Sequence, residues 1–199
     1  MGLIRLPLRL LSKLNSFLLT IGSVIATLAL AFMVAFVIYQ IVMRYAFNTA
    51  PAWTEEGARF LMLWMTGLVA PLGYRKGGFV AIDLVQTALP RLLSAILSLI
   101  LLALAMLTLI YAFIIGWSEI TGFAGRFATA SIYFPWPGAE GLEWIRAPRS
   151  YMMASLVVGS VLMISVNIEL ILRVLAGEGL PSETSVLLDK SKQPVMEGE

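Results

Sequence analysis

Two acids and two arginines lie close together where the second apolar segment of the chain begins. The stretch 53–60 reads WTEEGARF, so Glu55 and Arg59 are four residues apart, and Glu56 and Arg59 are three apart. On a helix, residues at either spacing are neighbours and can form an ion pair. Arg44 ends the preceding apolar segment and lies within reach across a short loop. We predict that these four side chains form one partly buried ion-pair network.

Two kinds of chemistry suit such a network. Glu55 or Glu56 could couple proton or substrate movement, because ionisable groups at membrane depth are often functional. Alternatively, the network could fix the first helix against the second or hold a partner subunit. The structural role is favoured, because both acids lie at a helix start beside two arginines. We therefore predict no catalytic, substrate-binding or metal-ligating residue in this chain.

The amino acids that the chain lacks narrow its function further. It contains neither His nor Cys, which excludes disulfides, His-ligated haem, His/Cys zinc sites and the Ser-His-Asp triad. We expect no enzyme activity and no cofactor, and a net charge of +2 is too small to indicate nucleic-acid binding. We also expect no buried acid, since Glu169 lies near the end of its segment and can pair with Arg173 four residues on.

Four apolar segments must position these residues. Charge-free runs cover 14–43, 60–74, 92–118 and 150–168, and about 20 helical residues cross the ~30 Å core of a bilayer. Hydrophobic residues are 59% of the chain and charged residues 13%, so the sequence predicts an all-α membrane protein with four transmembrane helices. The predicted units are one membrane domain over 1–176, with spans at about 17–43, 56–75, 92–118 and 150–172, and a flexible cytoplasmic tail over 177–199.

Two short helices are predicted on the membrane surface. Arg5, Arg9 and Lys13 are four residues apart and line one helical face. Such a face suits an amphipathic helix that lies on anionic lipid before the chain turns into the membrane. A basic flank without an ordered helix is the alternative interpretation.

The second surface helix is expected between spans 2 and 3. Residues 79–89 read FVAIDLVQTAL, which is apolar apart from Asp83, Gln86 and Thr87. We expect Asp83 to pair with Arg75 or Lys76.

The long third loop, residues 119–149, is rich in aromatic residues. Tyr133, Trp136 and Trp144 suit an aromatic belt at the membrane–water interface. Together with Arg146, they could alternatively form a docking surface for a periplasmic partner.

The basic residues predict the orientation, and small residues predict helix contacts. Nine of the 14 Lys and Arg residues flank the spans on one side, which favours cytoplasmic termini. Small residues at four-residue spacing allow close helix contact in lipid. They occur in span 1 as Ser23, Thr27, Ala31 and Ala35, and in span 4 as Ser155 and Gly159.

Several of these stretches together resemble the small membrane subunit of tripartite ATP-independent periplasmic (TRAP) transporters, often called Q or DctQ. The similar stretches are RYAFN at 44–48, WTEEGAR at 53–59, Leu63-Trp64 and RKGGFVAIDL at 75–84. The resemblance adds Trp53, Trp64 and Asp83 to the candidate subunit-interface residues. The chain departs from the family pattern at Phe79, where His is frequent, and in its longer third loop.

The resemblance implies a multi-pass protein of the bacterial inner membrane. Its expected partners are a large M transmembrane subunit, a periplasmic substrate-binding protein and membrane lipids. In such systems the M subunit carries the substrate and sodium sites, and the small subunit is a non-catalytic scaffold in the uptake of organic acids. The alternative is an autonomous four-span transporter or channel that acts as a homo-oligomer. A membrane enzyme or electron carrier is disfavoured by the missing His and Cys.

Overall fold

The computed structural model describes residues 2–49, 51–76, 91–122, 125, 127–138 and 141–176. Within them the chain forms four helices and one two-stranded sheet. The helices are α1 (Gly2–Ala46), α2 (Ala52–Arg75), α3 (Arg91–Thr121) and α4 (Ser150–Leu175), and the strands are β1 (Ala128–Gly138) and β2 (Gly141–Pro148). The helix predicted over 79–89 and the tail over 177–199 lie outside the described residues.

Three of these helices are long and apolar enough to cross a membrane. They are α1 from Leu6, α3 from Leu93 and α4 over its full length. Helix α2 has 24 residues, and its length of ~36 Å would suffice to cross the core. It is less apolar, because it begins with two acids and an arginine. A helical membrane protein is therefore confirmed, and the fourth span remains a prediction.

Helix α1 is one unbroken helix of 45 residues, with Pro7 inside it. The predicted turn between a surface helix and span 1 is absent from this stretch. The reason is that apolar residues continue at helical spacing through Leu6, Leu10, Leu14 and Phe17, all of them exposed. At ~67 Å, α1 is about twice as long as the bilayer core is thick.

Helix α4 is the central element, and it packs against the other three helices. The buried core joins Leu19 of α1, Leu102 of α3, and Val166 and Leu170 of α4. Trp64 meets Tyr151 near the start of α4, and Arg75 meets Glu169 near its end, so α2 and α4 run parallel.

Helices α2 and α4 cross at small residues. A Cβ atom added to Gly67 would lie 2.6 Å from the carbonyl oxygen of Ser155, and one added to Gly159 would lie 2.9 Å from the carbonyl oxygen of Gly67. Ser155 and Gly159 thus make the close contact that their spacing predicts.

The small-residue stripe predicted in span 1 is not buried. Thr27, Ala31 and Ala35 are exposed, because residues four apart drift around a helix by about 40° per step. The buried face instead follows alternating four- and three-residue steps, as in a coiled-coil seam. Its members are Asn15, Leu19, Gly22, Ala26 and Ala29.

Part of the predicted third loop is an antiparallel hairpin, so the chain is not entirely helical. Tyr133 is opposite Arg146, Pro135 opposite Trp144, and Gly138 opposite Gly141. The strands are rich in aromatic and β-branched residues, which favour extended structure. The sequence predicts a belt or docking role for these aromatic residues and does not predict the hairpin.

We expect Gly67→Ala to destabilise the protein relative to Gly73→Ala. Both substitutions lie in α2 and gain the same helix propensity, but an added Cβ at Gly73 meets nothing within 4 Å. The difference in unfolding free energy isolates the clash with Ser155, and overpacking of this kind costs about 1–3 kcal/mol. Thermal unfolding in detergent, followed by tryptophan fluorescence, measures it. Equal stability of the two variants would contradict the close crossing.

Candidate functional site

The charged residues predicted to form one network are divided in the structure. Glu55 and Arg59 form an ion pair whose side chains are 58% and 71% exposed. Glu56 instead accepts hydrogen bonds from the backbone N–H and the hydroxyl of Ser131, at 2.7 and 2.6 Å. Arg44 is exposed, and no carboxylate among the described residues pairs with it. The prediction of a single partly buried network is therefore wrong.

The position of Trp53 explains why Arg44 is separate. The Trp53 ring packs edge-on against Phe36, at 5.5 Å between centroids, and lies tilted against Tyr39 at 5.8 Å. Arg44 is five residues beyond Tyr39, so it lies more than one helical turn past the start of α2. Asn48 then turns the chain with a φ of 55°, a left-handed conformation that Asn tolerates.

The other candidate tryptophan also contacts this chain. Trp64 donates its indole N–H to the carbonyl oxygen of Tyr151 at 3.1 Å, which links α2 to α4. Trp53 and Trp64 thus position helices within the subunit. Their predicted role at a subunit interface remains a prediction, and Asp83 lies outside the described residues.

The hairpin is anchored to α2 through Glu56 and Ser131. Next to this anchor, an apolar cleft of about 510 Å³ opens between α1, α2 and β1. Its lining includes the aromatic side chains of Phe32, Phe36, Trp53, Phe60 and Tyr133.

Three of the four docking candidates have described side chains on the hairpin. The Arg146 guanidinium lies 5.7 Å from the centre of the Tyr133 ring and donates to its hydroxyl at 3.3 Å. Trp144 is 69% exposed, and the Trp136 side chain is outside the described residues. This exposure suits both an aromatic belt and a docking surface.

Among the described residues, Glu169 in α4 is the most enclosed charged group, with a fully buried side chain. Its Oε1 accepts hydrogen bonds from Arg75 of α2 at 2.9 Å and from Arg173 at 2.7 Å. Its Oε2 accepts a hydrogen bond from the Asn15 amide of α1 at 2.8 Å. We call Glu169, Arg75, Arg173 and Asn15 the Glu169 cluster. The expectation of no buried acid is wrong.

Two serines of α1 surround the arginines of the cluster. Ser12 Oγ accepts hydrogen bonds from Arg75 Nη2 at 3.0 Å and from Arg173 Nη2 at 3.2 Å. Ser16 Oγ accepts one from Arg75 Nη1 at 2.7 Å. Arg75 is thereby bound to α1 and α4 at the same time.

Further polar contacts extend the connection to α3. The Tyr74 hydroxyl donates to Asn167 Oδ1 at 2.9 Å, and Asn167 Nδ2 donates to the carbonyl oxygen of Leu102 at 3.1 Å. Ser165 donates to Asn15 Oδ1 at 2.6 Å. Among the described residues, every buried side-chain nitrogen and oxygen has a partner. This arrangement can hold four helices in register.

The sequence indicates part of this cluster. Glu169 and Arg173 are recognisable as an i,i+4 pair, and the structure confirms their ion pair. The sequence suggests Arg75 or Lys76 as the partner of Asp83, which lies outside the described residues, and it does not indicate that Arg75 binds Glu169. The charge pattern does not reveal Asn15 and Asn167, because their amides are uncharged and lie inside charge-free runs. A polar side chain inside an otherwise apolar run is the signal that finds them.

We expect Glu169→Ala to cost about 3–5 kcal/mol of stability, because it leaves two arginines without their shared carboxylate. Glu55→Ala is the matched control, since it breaks an exposed Glu–Arg pair and should cost no more than about 1 kcal/mol. Thermal or denaturant unfolding of the full chain in detergent measures both. Similar losses for the two variants would show that burial of Glu169 does not govern stability.

Comparison with known proteins places this fold in a family. A family model described as "Tripartite ATP-independent periplasmic transporters, DctQ component" matches residues 33–177. The chain is also 35% identical over 71 residues to a Haemophilus influenzae protein named "Putative TRAP transporter small permease protein". That stretch covers 36% of this chain and 44% of the relative, so the chain spans less than half of the relative's length. The family match includes α2, α3, α4, the hairpin and the end of α1 from residue 33 onward, and the chain belongs to the DctQ component family of tripartite ATP-independent periplasmic transporters.

Proposed function

We propose that this chain is the non-catalytic scaffold subunit of a sodium-coupled TRAP transporter for organic acids. In this role it clasps the large M subunit in the inner membrane and helps to dock the periplasmic binding protein. The observation that carries the proposal is the closed polar interior of the bundle. Glu169 is its one fully buried acid among the described residues, and donors of the same chain occupy both of its oxygens.

A substrate or ion pathway needs polar groups that are available to the passing solute. Secondary transporters commonly supply them from interrupted helices and repeated halves. Here α2 and α4 are continuous helices, and the described buried polar atoms are paired with one another. This interior suits a rigid subunit whose partner carries the moving solute.

The outer helices supply surface for association. Most apolar side chains of α1 and α3 are exposed in the isolated chain, including Phe17, Phe32, Leu104 and Ile115. In a membrane, lipid tails or other apolar helices cover such faces. We infer that the M subunit covers one of them.

The hairpin supplies a second, more polar surface. Its attachment through Glu56 and Ser131 holds Tyr133 and Arg146 at a fixed position beside α2. A fixed aromatic and cationic surface suits contact with the binding protein at the periplasmic side.

The alternative function is an autonomous transporter or channel that acts as a homo-oligomer. Burial of Glu169 is the observation that favours it, because intramembrane acids often mark ion pathways. Its two arginine partners and its amide partner favour the scaffold role instead.

We expect the isolated chain to move no substrate. The purified chain is reconstituted into liposomes alone, and then together with its M subunit and binding protein, and sodium-dependent uptake of organic acids is followed. Uptake should require all three proteins.

Glu56→Gln should leave uptake per assembled complex unchanged, because the Gln amide oxygen can still accept hydrogen bonds from Ser131. Uptake by the chain alone would refute the scaffold role, and loss of uptake in an intact Glu56→Gln complex would assign that acid to coupling.

We expect both termini to be cytoplasmic, from the nine-to-five distribution of basic residues. A single Cys at Ser191 should resist a membrane-impermeant thiol reagent in intact cells, whereas a single Cys at Gly138 should react. The chain has no native Cys, so no other thiol in it can react with the reagent. Labelling at Ser191 with an intact inner membrane would overturn the four-span topology.

A further inference from the structure

The helix ends near the Glu169 cluster carry an excess of positive charge. The described residues there include more basic side chains than carboxylates. Arg75 and Arg173 both bind the same oxygen of Glu169, so two cations share one anion. The other acids of the described helices, Glu55, Glu56 and Glu119, lie at the opposite helix ends. Among the described residues, an excess of at least one positive charge therefore remains at this partly enclosed site.

Two exposed cations extend this excess outward. Lys76 directly follows Arg75 at the end of α2 and is exposed. Arg9 is exposed and lies seven residues before Ser16, so it is two turns along the same face of α1 that contacts Arg75. Helices α1, α2 and α4 thus each supply a basic residue to one end of the bundle.

Arg173 has hydrogen-bonding capacity to spare. Its Nε and Nη2 donate to Glu169, and Nη2 also contacts Ser12, whereas Nη1 donates to no group among the described residues. The side chain is 28% exposed, so it is held in place by the cluster and still open to a ligand. A guanidinium fixed in this way suits the oxygens of a phosphate group.

We propose that Arg9, Lys76 and Arg173 bind the phosphate of an anionic phospholipid. The apolar surface beside them favours a lipid over free phosphate. Phe17 and Val24 are exposed on α1 and lie within about 80° of Arg9 around the helix, so acyl chains can lie along them while the headgroup meets the cations. This site differs from the stripe of Arg5, Arg9 and Lys13, because its centre is the Glu169 cluster. The proposal does not depend on the transport role.

The test is a lipid titration of the full chain in neutral detergent, read by native mass spectrometry. Phosphatidylglycerol should bind at least about tenfold more tightly than phosphatidylcholine or inorganic phosphate. Lys76→Gln and Arg9→Gln should each weaken phosphatidylglycerol binding about fivefold, since a cation near anionic lipid contributes ~1 kcal/mol. The matched controls are Arg44→Gln and Arg59→Gln, which remove the same charge from the other end of the helices and should leave the affinity unchanged.

A charge-conserving variant distinguishes a defined binding site from non-specific electrostatic attraction of the lipid. Arg173→Lys keeps the net charge but loses the guanidinium fork, so a built site predicts weaker phosphatidylglycerol binding. The unfolding midpoint without lipid reports whether each variant is folded. If Arg173→Lys does not fold, the affinities of the Arg9 and Lys76 variants test the site. Equal loss of affinity in the control variants, or wild-type affinity of folded Arg173→Lys, would overturn the site. Binding of inorganic phosphate as tight as that of phosphatidylglycerol would overturn its assignment to lipid.

Discussion

A carboxylate that is removed from water requires hydrogen-bond donors around both of its oxygens, and Glu169 obtains them from three helices. Burial of an unpartnered charge costs far more free energy than the whole bundle can supply. Arg75 and Asn15 must therefore reach Glu169 from α2 and α1, while Arg173 reaches it from one turn along α4. Few relative positions of these helices satisfy all three donors together. The cluster thus specifies the register of the bundle as well as contributing to its stability.

A second contact completes the geometry of α2 and α4. Their backbones approach most closely where Gly67 meets Ser155 and Gly159, while Arg75 meets Glu169 about 12 Å farther along α2. A single contact fixes only the distance between two helices. Two separated contacts also fix the crossing angle and the register of the helices. Apolar packing in lipid is weakly specific, because lipid tails replace lost contacts with little change in free energy. The specificity therefore comes from small residues at one level and polar residues at the other.

The sequence predicted what depends on composition and local spacing. The positions of the four helices follow from long apolar runs, and the Glu55–Arg59 and Glu169–Arg173 pairs follow from i,i+4 spacing. Contacts between distant segments were not predictable in this way. Arg75 has several acids within plausible reach, and only the packing of α2 on α4 selects Glu169. The spacing predicts that Arg44 meets Glu55 or Glu56, but Trp53 packs beside Tyr39, which leaves Arg44 beyond the start of α2.

Three residues in the stretches that resemble the family make contacts within this chain. Trp53 packs on α1, Trp64 binds the start of α4, and Glu56 holds the hairpin. These three residues organise the subunit itself. The Glu55–Arg59 pair differs, because it is exposed and makes no described contact with another helix. The stretch at the start of α2 thus combines residues that hold α1 and the hairpin in place with an ion pair that lies open on the surface.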